Sequence, residues 1–522
     1  MPMLVFAEPS WTNSAQRVAL RLRQDDDLRD LVTSQVVPVL VDPAERPDLA
    51  AAWRWAAVAL TGTAGPPLMV FLTHDGLPFL AYCTMAVEGD DTYPSLASLI
   101  ESVAESYATG AAGIGKDARE LVSRGQVPAA PSVSADGWER LRQRIDLRRG
   151  GLTEAPKHPH PMLLWSLLDA HHGGALPDDL ADWLRATLDT LVRGGIWDQL
   201  DRGFHRCTRN DLWVVPHFEK PIPLNAQLAA VYARAAAELR DERYGDIGAR
   251  IVSFCGAALR EGVDAVGSDT GYYTWTSKEL LNTLDPALVQ VVTLHYDIKP
   301  VHERQALRRV VEMEQMDRFS HEDVDVLRTR LVRGRAQLRA ARQRRPAPQV
   351  VSMSALSWRV ETIRWLLEAS VWTTVDVKQV VADLDDLIEG RFDGDGRGYV
   401  RSVGEGDSVL WLEDQAALLT AFLVARRVAS NGTWQERAIG LADALLDHWW
   451  AGSGWLDHPG AAEPSRAIVD DMVPAPLGNL AGAFRELAEL TGEQRHADQA
   501  VNALATVRSL GHASDHWSAS VP

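Results

Sequence analysis

Cysteine is nearly missing from this chain: Cys83, Cys207 and Cys255 are the whole complement, far apart, with no Cys-x-x-Cys. That spacing supports neither a disulfide framework nor a cysteine zinc site. It suits a reducing compartment, so the cytoplasm is the expected location. Lysine is scarce as well, with six among 53 basic residues, the rest being Arg. Positive charge is outnumbered by 71 acidic residues, which leaves −18. A net-acidic surface repels phosphate backbones and anionic lipid, so neither nucleic acid nor membrane is an expected partner. No apolar run approaches the roughly 18 residues of a membrane-spanning helix. The start, MPMLVFAEPSW, lacks the basic n-region and long apolar core of a signal peptide. No cofactor signature is found, and none is expected to be bound.

What is present is globular material: 522 residues, 46% hydrophobic and 24% charged, enough for more than one core. Residues 1–90 alternate strand and helix signals. Met3–Ala7 is an apolar strand, Thr12–Thr33 has helical periodicity, Val36–Val41 looks like a buried strand, and a helix follows through Ala50–Leu60. Leu68–Leu72 and Pro78–Tyr82 flank Thr73-His74-Asp75-Gly76, where Asp-Gly is a strong hairpin signal. The order predicts a small α/β sheet. Residues 88–134 read as a linker with one helix near Leu96–Tyr107, broken by Gly110–Gly115 and Val127–Pro131.

From about residue 135 to 522 the texture is helical. Apolar i, i+3, i+4 spacing marks ten stretches, among them Asp178–Val192, Leu224–Leu239, Glu322–Arg344, Ala355–Ala369 and Glu413–Val428. Gly-aromatic turns recur at Gly203-Phe204, Gly271-Tyr272-Tyr273, Gly398-Tyr399 and Gly454-Trp455. Their separations fit a unit of about 60 residues, six of which would close an (α/α)6 toroid with a loop-lined mouth. An irregular helical array is the alternative. The Arg-rich run Arg328–Arg345 is expected to solvate an outer helix face.

The segment richest in chemistry is GGIWDQLDRGFHRCTRNDLWVVPHFEKPIPLNAQ, residues 194–227. Pro216, Pro221 and Pro223 forbid a continuous helix, so His217, Glu219 and Lys220 fall in extended chain. A hairpin turning near Arg209-Asn210-Asp211 would bring His205 towards His217. Carboxylate beside imidazole is the pairing that acid–base chemistry uses; a hydrogen-bonded brace is the competing reading. A metal site from His205, Cys207, His217 and Glu219 has no recognised spacing, and none is expected. Further acidic pairs stand at Glu413-Asp414 and Asp470-Asp471, each at a helix entry, where capping is the plain explanation. Two carboxylates flanking a glycosidic bond would serve as acid and base if the clusters shared one rim. Trp197, Trp213, Trp411 and Trp455 suit sugar stacking, although most of the 18 Trp must be core.

These motifs resemble the YyaL/spermatogenesis-associated protein 20 type family, a thioredoxin-like domain fused to a six-hairpin glycosidase-like barrel. The resemblance rests on VDPAERPD (41–48), the run from Thr61 to Phe79, APKHPHP (155–161), GGIWDQLDRGFHR, WVVPHFEK, NAQ, Leu412-Glu413-Asp414 and Pro474–Asn479. It implies His217, Glu219, His205, Glu413, Asp414 and Asp471 as catalytic candidates. Lys220, Trp197, Asp198, Trp213, Asn225 and Asn479 would contact substrate, and Pro67 matches the family's cis-proline. The family's Cys-x-x-Cys would fall on Thr12 and Ala15, so thiol exchange is expected to be absent. Leu224 and Val351-Ser352-Met353 also replace charged family residues. The resemblance therefore implies either a sugar-like metabolite bound or processed, by hydrolysis or epimerisation, or a non-catalytic scaffold with a protein partner at the thioredoxin-like face.

Overall fold

The computed structural model describes all residues except 10, 63–67, 84–93, 125–136, 297, 299–302, 314, 317–321, 354, 402–408, 430–431, 471 and 513–522. Pro67, Asp471 and the breaker Val127–Pro131 lie outside the described residues. The chain divides into two compact units. One comprises residues 1–133, 353–371 and 375–522; the other comprises 134–352 and 372–374.

The first unit opens with β1 (Met3–Ala7), α1 (Asn13–Gln24), α2 (Asp26–Gln35), β2 (Val37–Val41), α3 (Pro47–Thr61), β3 (Leu68–Leu72), β4 (Pro78–Tyr82) and α4 (Leu96–Arg124). The sheet order is β2-β1-β3-β4, with β1 parallel to β2 and β3 antiparallel to both β1 and β4. Side chains alternate across the pleat. Leu4, Phe6, Met69 and Phe71 pack with Val18, Leu28, Val32 and the α4 residues Leu99, Ile100 and Val103. Val5, Ala7, Leu68, Val70 and Leu72 pack on Trp53 and Ala57 of α3 on the other face. Burial on both faces explains why β1 and β3 read as unbroken apolar runs.

Three expectations need correcting here. The single helix expected over Thr12–Thr33 is two, because Asp25 leaves the helical region and caps α2 by accepting from Leu28 N. β2 is an edge strand, with Val37 and Leu40 exposed, not a buried one. Edge position also explains Pro38, whose missing N–H needs no second strand. The helix expected near Leu96–Tyr107 runs on through Gly110, Gly113 and Gly115 to Arg124. Glycine costs a helix only about 1 kcal/mol per residue, which tertiary packing overrides.

The remainder of this unit is helical: α14 (Leu356–Ala369), α15 (Val377–Ile388), α16 (Leu412–Ala429), α17 (Gly432–His448), α18 (Pro476–Thr491) and α19 (Gln494–His512). Successive helices pair as hairpins, α16 with α17 and α18 with α19, while α14 and α18 flank α16. The α/β module packs on these helices. The Trp11 ring meets Trp358 of α14 edge-on at 6.0 Å, Arg401 Nη1 donates to Ala44 O, and Arg466 lies 4.7 Å over Trp55.

The second unit is also built of hairpins: α5 (Gly137–Arg144), α6 (Pro161–His172), α7 (Asp178–Arg193), α8 (Ile222–Glu238), α9 (Glu242–Arg260), α10 (Thr270–Tyr273), α11 (Ser277–Thr283), α12 (Pro286–Tyr296) and α13 (Val324–Arg342). Two-residue strands β5 (Cys207–Thr208), β6 (Pro216–His217) and β7 (Lys220–Pro221) link α7 to α8. The expected class, an α/β module followed by a helix-rich body, is the one observed. The helices α9, α11, α12 and α15 were not anticipated. α9 nevertheless carries a periodic buried face, Tyr244, Gly248, Ile251, Cys255 and Ala258. No described helix is long and apolar enough to cross a membrane.

Candidate functional site

The 194–227 segment folds as its prolines require. β5 pairs antiparallel with β6, Cys207 opposite His217 and Thr208 opposite Pro216, so the expected hairpin forms. Gly203 turns the chain at φ +87°, where a Cβ would lie 2.7 Å from the Phe254 ring and 3.1 Å from Asn225 Oδ1. Asn225 clamps this turn. Its Oδ1 accepts from Phe204 N at 2.6 Å, and its Nδ2 donates to Phe204 O and Pro221 O at 3.0 and 2.8 Å.

At the centre sits Asp198, which accepts from Lys220 Nζ at 2.7 Å, from Arg342 Nη1 at 2.8 Å and from the backbone of Leu200 and Asp201. All three charged side chains are buried. Burial pushes the Asp198 carboxyl up, but the charges of Lys220 and Arg342 outweigh it and hold the group far below the carboxylate range. Lys220 also donates to Arg202 O at 2.8 Å and lies 4.9 Å over the Tyr273 ring. Burial lowers its ammonium, against the pull of Asp198.

His205 is buried beside this network. Its Nδ1 lies 3.0 Å from Phe218 O, and a carbonyl can only accept, so Nδ1 carries the proton. Burial, reinforced by the charge of Lys220 and opposed by Asp198, lowers the imidazole to about 3. Glu219 is fully buried, its carboxylate 3.7 Å from Arg206 Nε. His217 is half-buried on β6. Trp197 packs in the core with its ring tilted at 59° to Phe204, centroids 4.7 Å apart, and Trp213 is closed in with Nε1 donating to Gly150 O at 3.3 Å. Among the described residues no group of three His, Cys, Asp or Glu is arranged to hold a metal ion.

The other candidates belong to the first unit. Asp414, fully buried in the first turn of α16, accepts from Arg401 Nε and Nη2, each at 2.8 Å, and from Ser357 N at 2.8 Å. Glu413 is half-buried, accepting from Ser357 Oγ at 2.5 Å and lying 3.3 Å from Arg401 Nη2. Burial raises its carboxyl, and Asp414 adds to this against the charge of Arg401. Asn479 joins Glu361, donating to Oε1 at 2.9 Å, to Arg364, accepting from Nη1 at 3.1 Å. Asp470 caps the entry to α18 by accepting from Ala475 N.

Sequence reading did not single out Asp457. Burial pushes its carboxyl up to about 6; the Ser465 hydroxyl pulls it down, while Asp48 and Glu413 push it further up. Asp457 is half-buried, and its carbonyl accepts from Leu412 N at 2.9 Å, next to Glu413. No motif marks it, because it is an isolated Asp in a turn that only the fold brings to α16.

Two outcomes follow. Asp198→Ala would leave Lys220 and Arg342 without their buried counter-charge, the exposed Asp201 at 3.7 Å from Arg342 being a weak substitute, costing about 3–5 kcal/mol in denaturant unfolding. Asp179→Ala, which breaks the exposed pair with Arg142, should leave the midpoint unchanged. The His205 imidazole should stay neutral at pH 5 in a nitrogen-edited NMR titration; a midpoint near 6.5 would refute its burial. An unfolded histidine protonates near 6.5, so the lowered folded value withdraws stability as pH falls below 6.5. This group alone costs about 1.4 kcal/mol per pH unit down to about 3.

The family model Thioredox_DsbH, described as a protein of unknown function (DUF255), matches residues 10–125. Spermatogenesis-associated protein 20 of Homo sapiens is 26% identical over 549 aligned residues, covering 91% of this chain and 69% of its own. The Mus musculus protein of the same name is 25% identical and covers 92% and 70%. Among solved structures, the cellobiose 2-epimerase from Bacillus thermoamylovorans B4167 aligns at a TM-score of 0.43 and 10% identity. That alignment covers 70% of this chain and 84% of that one. A sugar epimerase from a ruminal bacterium aligns at 0.42 and 10%, covering 70% and 82%. The chain therefore carries a Thioredox_DsbH (DUF255) domain and is homologous to spermatogenesis-associated protein 20 over most of its length.

Proposed function

We propose that this chain is a binding protein without thiol chemistry, its thioredoxin-like module serving as a fixed part of the larger unit. One observation carries this reading: Thr12, which stands where the family's first thiol would, is fully buried at the start of α1. Its Oγ1 donates to Pro9 O at 2.9 Å and accepts from Ala15 N at 3.3 Å, while the adjoining Trp11 packs on Trp358. A thiolate acts by reaching a disulfide sulfur, which a closed position does not permit. The burial of His205, Lys220, Asn225 and Asp414 among hydrogen-bond partners, and of Glu219 beside Arg206, supports bracing roles for them. The test restores the thiols. Thr12→Cys/Ala15→Cys should reduce no protein disulfide, and its native-state thiols should react with an aromatic disulfide reagent about 100-fold slower than free cysteine. Rapid reaction of the folded variant would overturn the reading.

A second reading, acid–base chemistry on a sugar-like metabolite, is favoured by Glu413 and Asp457. Both are half-buried carboxyls held above their ordinary range, the condition a general acid needs near neutral pH. A protonated Asp457 would donate below about pH 6, and activity would fall as pH rises through that value. Hydrolysis of aryl glycosides, or epimerisation of a reducing disaccharide, should drop about 100-fold in Asp457→Asn and Glu413→Gln. No turnover across a glycoside and disaccharide panel would end this reading.

A further inference from the structure

The Arg-rich run expected to solvate an outer face does not all point outward. On α13, Arg335, Arg339 and Arg342 share one side. Arg335 Nη2 donates to Gln199 O at 2.6 Å, and Arg339 Nε donates to Leu200 O at 2.7 Å. From α9, Arg250 Nη2 donates to Asp201 O at 3.0 Å and its guanidinium lies 5.2 Å over the Trp197 ring. Arg202 follows directly and donates to Ser253 Oγ. The carbonyls of three successive residues thus gather guanidiniums from two helices, with Arg202 next in the chain.

The cluster is short of negative charge. Asp198 is engaged by Lys220 and Arg342, and Glu312 lies 2.7 Å from Arg193 and 3.8 Å from Arg309. Asp201 lies 3.7 Å from Arg342. Among the described residues no carboxylate pairs with Arg202, Arg250, Arg335 or Arg339. Burial, and then the charges of Arg335, Arg202, Arg339 and Arg309, bring Arg250 down to about 10. Like charges held together in a protein of net charge −18 need an anion to offset them.

Two buried donors point the same way. The Tyr296 hydroxyl, in a residue 1% exposed, has no hydrogen-bond partner among the described residues, and the same holds for Arg309 Nε. Arg335, Arg309 and Arg250 are the charges nearest in effect to that hydroxyl. Here these two donors accompany uncompensated guanidiniums, whose planar forks fit the oxygens of a tetrahedral anion.

We propose that Arg202, Arg250, Arg309 and Arg335, with the Tyr296 hydroxyl, form a binding site for a phosphate-type oxyanion beside residues 199–202. The ligand is inorganic phosphate or the phosphate group of a small phosphomonoester. This site shares no residue with the Glu413–Asp457 pair or the Thr12 face, so it stands or falls separately from the readings above.

The test is calorimetric titration of the full chain with inorganic phosphate at fixed ionic strength, with chloride as the matched control. Saturable binding is expected, weakened about 10-fold by Arg250→Gln and by Arg202→Gln. Arg328→Gln, on α13 but paired with Asp325, should leave it unchanged. Tyr296→Phe retains the buried ring, so weaker binding with an unchanged unfolding midpoint separates anion recognition from folding. A hexose 6-phosphate that binds tighter than phosphate assigns the site to a phosphorylated metabolite; equal affinity assigns it to the free ion. Binding no stronger than chloride, or identical in wild type and Arg250→Gln, overturns the proposal.

Discussion

A charge taken out of water must meet an opposite charge or several good hydrogen bonds, and both units of this chain are arranged around that demand. In the second unit Asp198 answers Lys220 and Arg342 and so ties the 194–227 segment to the C-terminal turn of α13. In the first, Asp414 answers Arg401, which also reaches Ala44 of the α/β module. Glu361, Arg364 and Asn479 repeat the device between α14 and α18. Each set joins stretches far apart in sequence, so the polar groups determine which helices meet, while the apolar faces supply most of the driving force.

Two kinds of polar residue result. Asp198, Lys220, His205 and Asn225 are satisfied inside the fold, and burial alters the ionisation of the first three as a consequence of bracing. Glu413 and Asp457 keep part of their surface and are raised by incomplete compensation, as Arg250 beside residues 199–202 is lowered. Incomplete compensation is where binding or chemistry can be recruited, because a ligand can supply the missing partner. The α/β module belongs to the first pattern, with the fully buried Thr12 capping α1.

Much of the fold was legible. Met3–Ala7, Leu68–Leu72 and Pro78–Tyr82 agree with the sequence reading to the residue, since apolar runs bounded by turn signals are strong strand markers. The 207–217 hairpin was legible from its prolines and its Arg209-Asn210-Asp211 turn. β2 was misjudged because VVPVLV records hydrophobicity but not position in the sheet. α9 was missed although its buried residues Tyr244, Gly248, Ile251, Cys255 and Ala258 recur at helical spacing; Gly248 is there because Ala233 of α8 comes within 2.9–3.2 Å of where a Cβ would stand. Of the site, sequence picked out His205, Glu219, Lys220 and Glu413 by type and motif. It could not see Asp457 or the convergence of Arg202, Arg250 and Arg335, which no spacing pattern links.

Sequence alone settled the absence of thiols at positions 12 and 15, the acidic balance, and the order of an α/β module before a helical body. These are properties of residue identity and local periodicity, which do not depend on distant contacts. Tertiary structure decided which charges are buried and paired, that the expected outer arginines of α13 turn onto residues 199–202, and that Asp457 lies beside Glu413. Ionisation and hydrogen bonding depend on the distance and solvation of groups dozens of residues apart, and only the folded chain determines both.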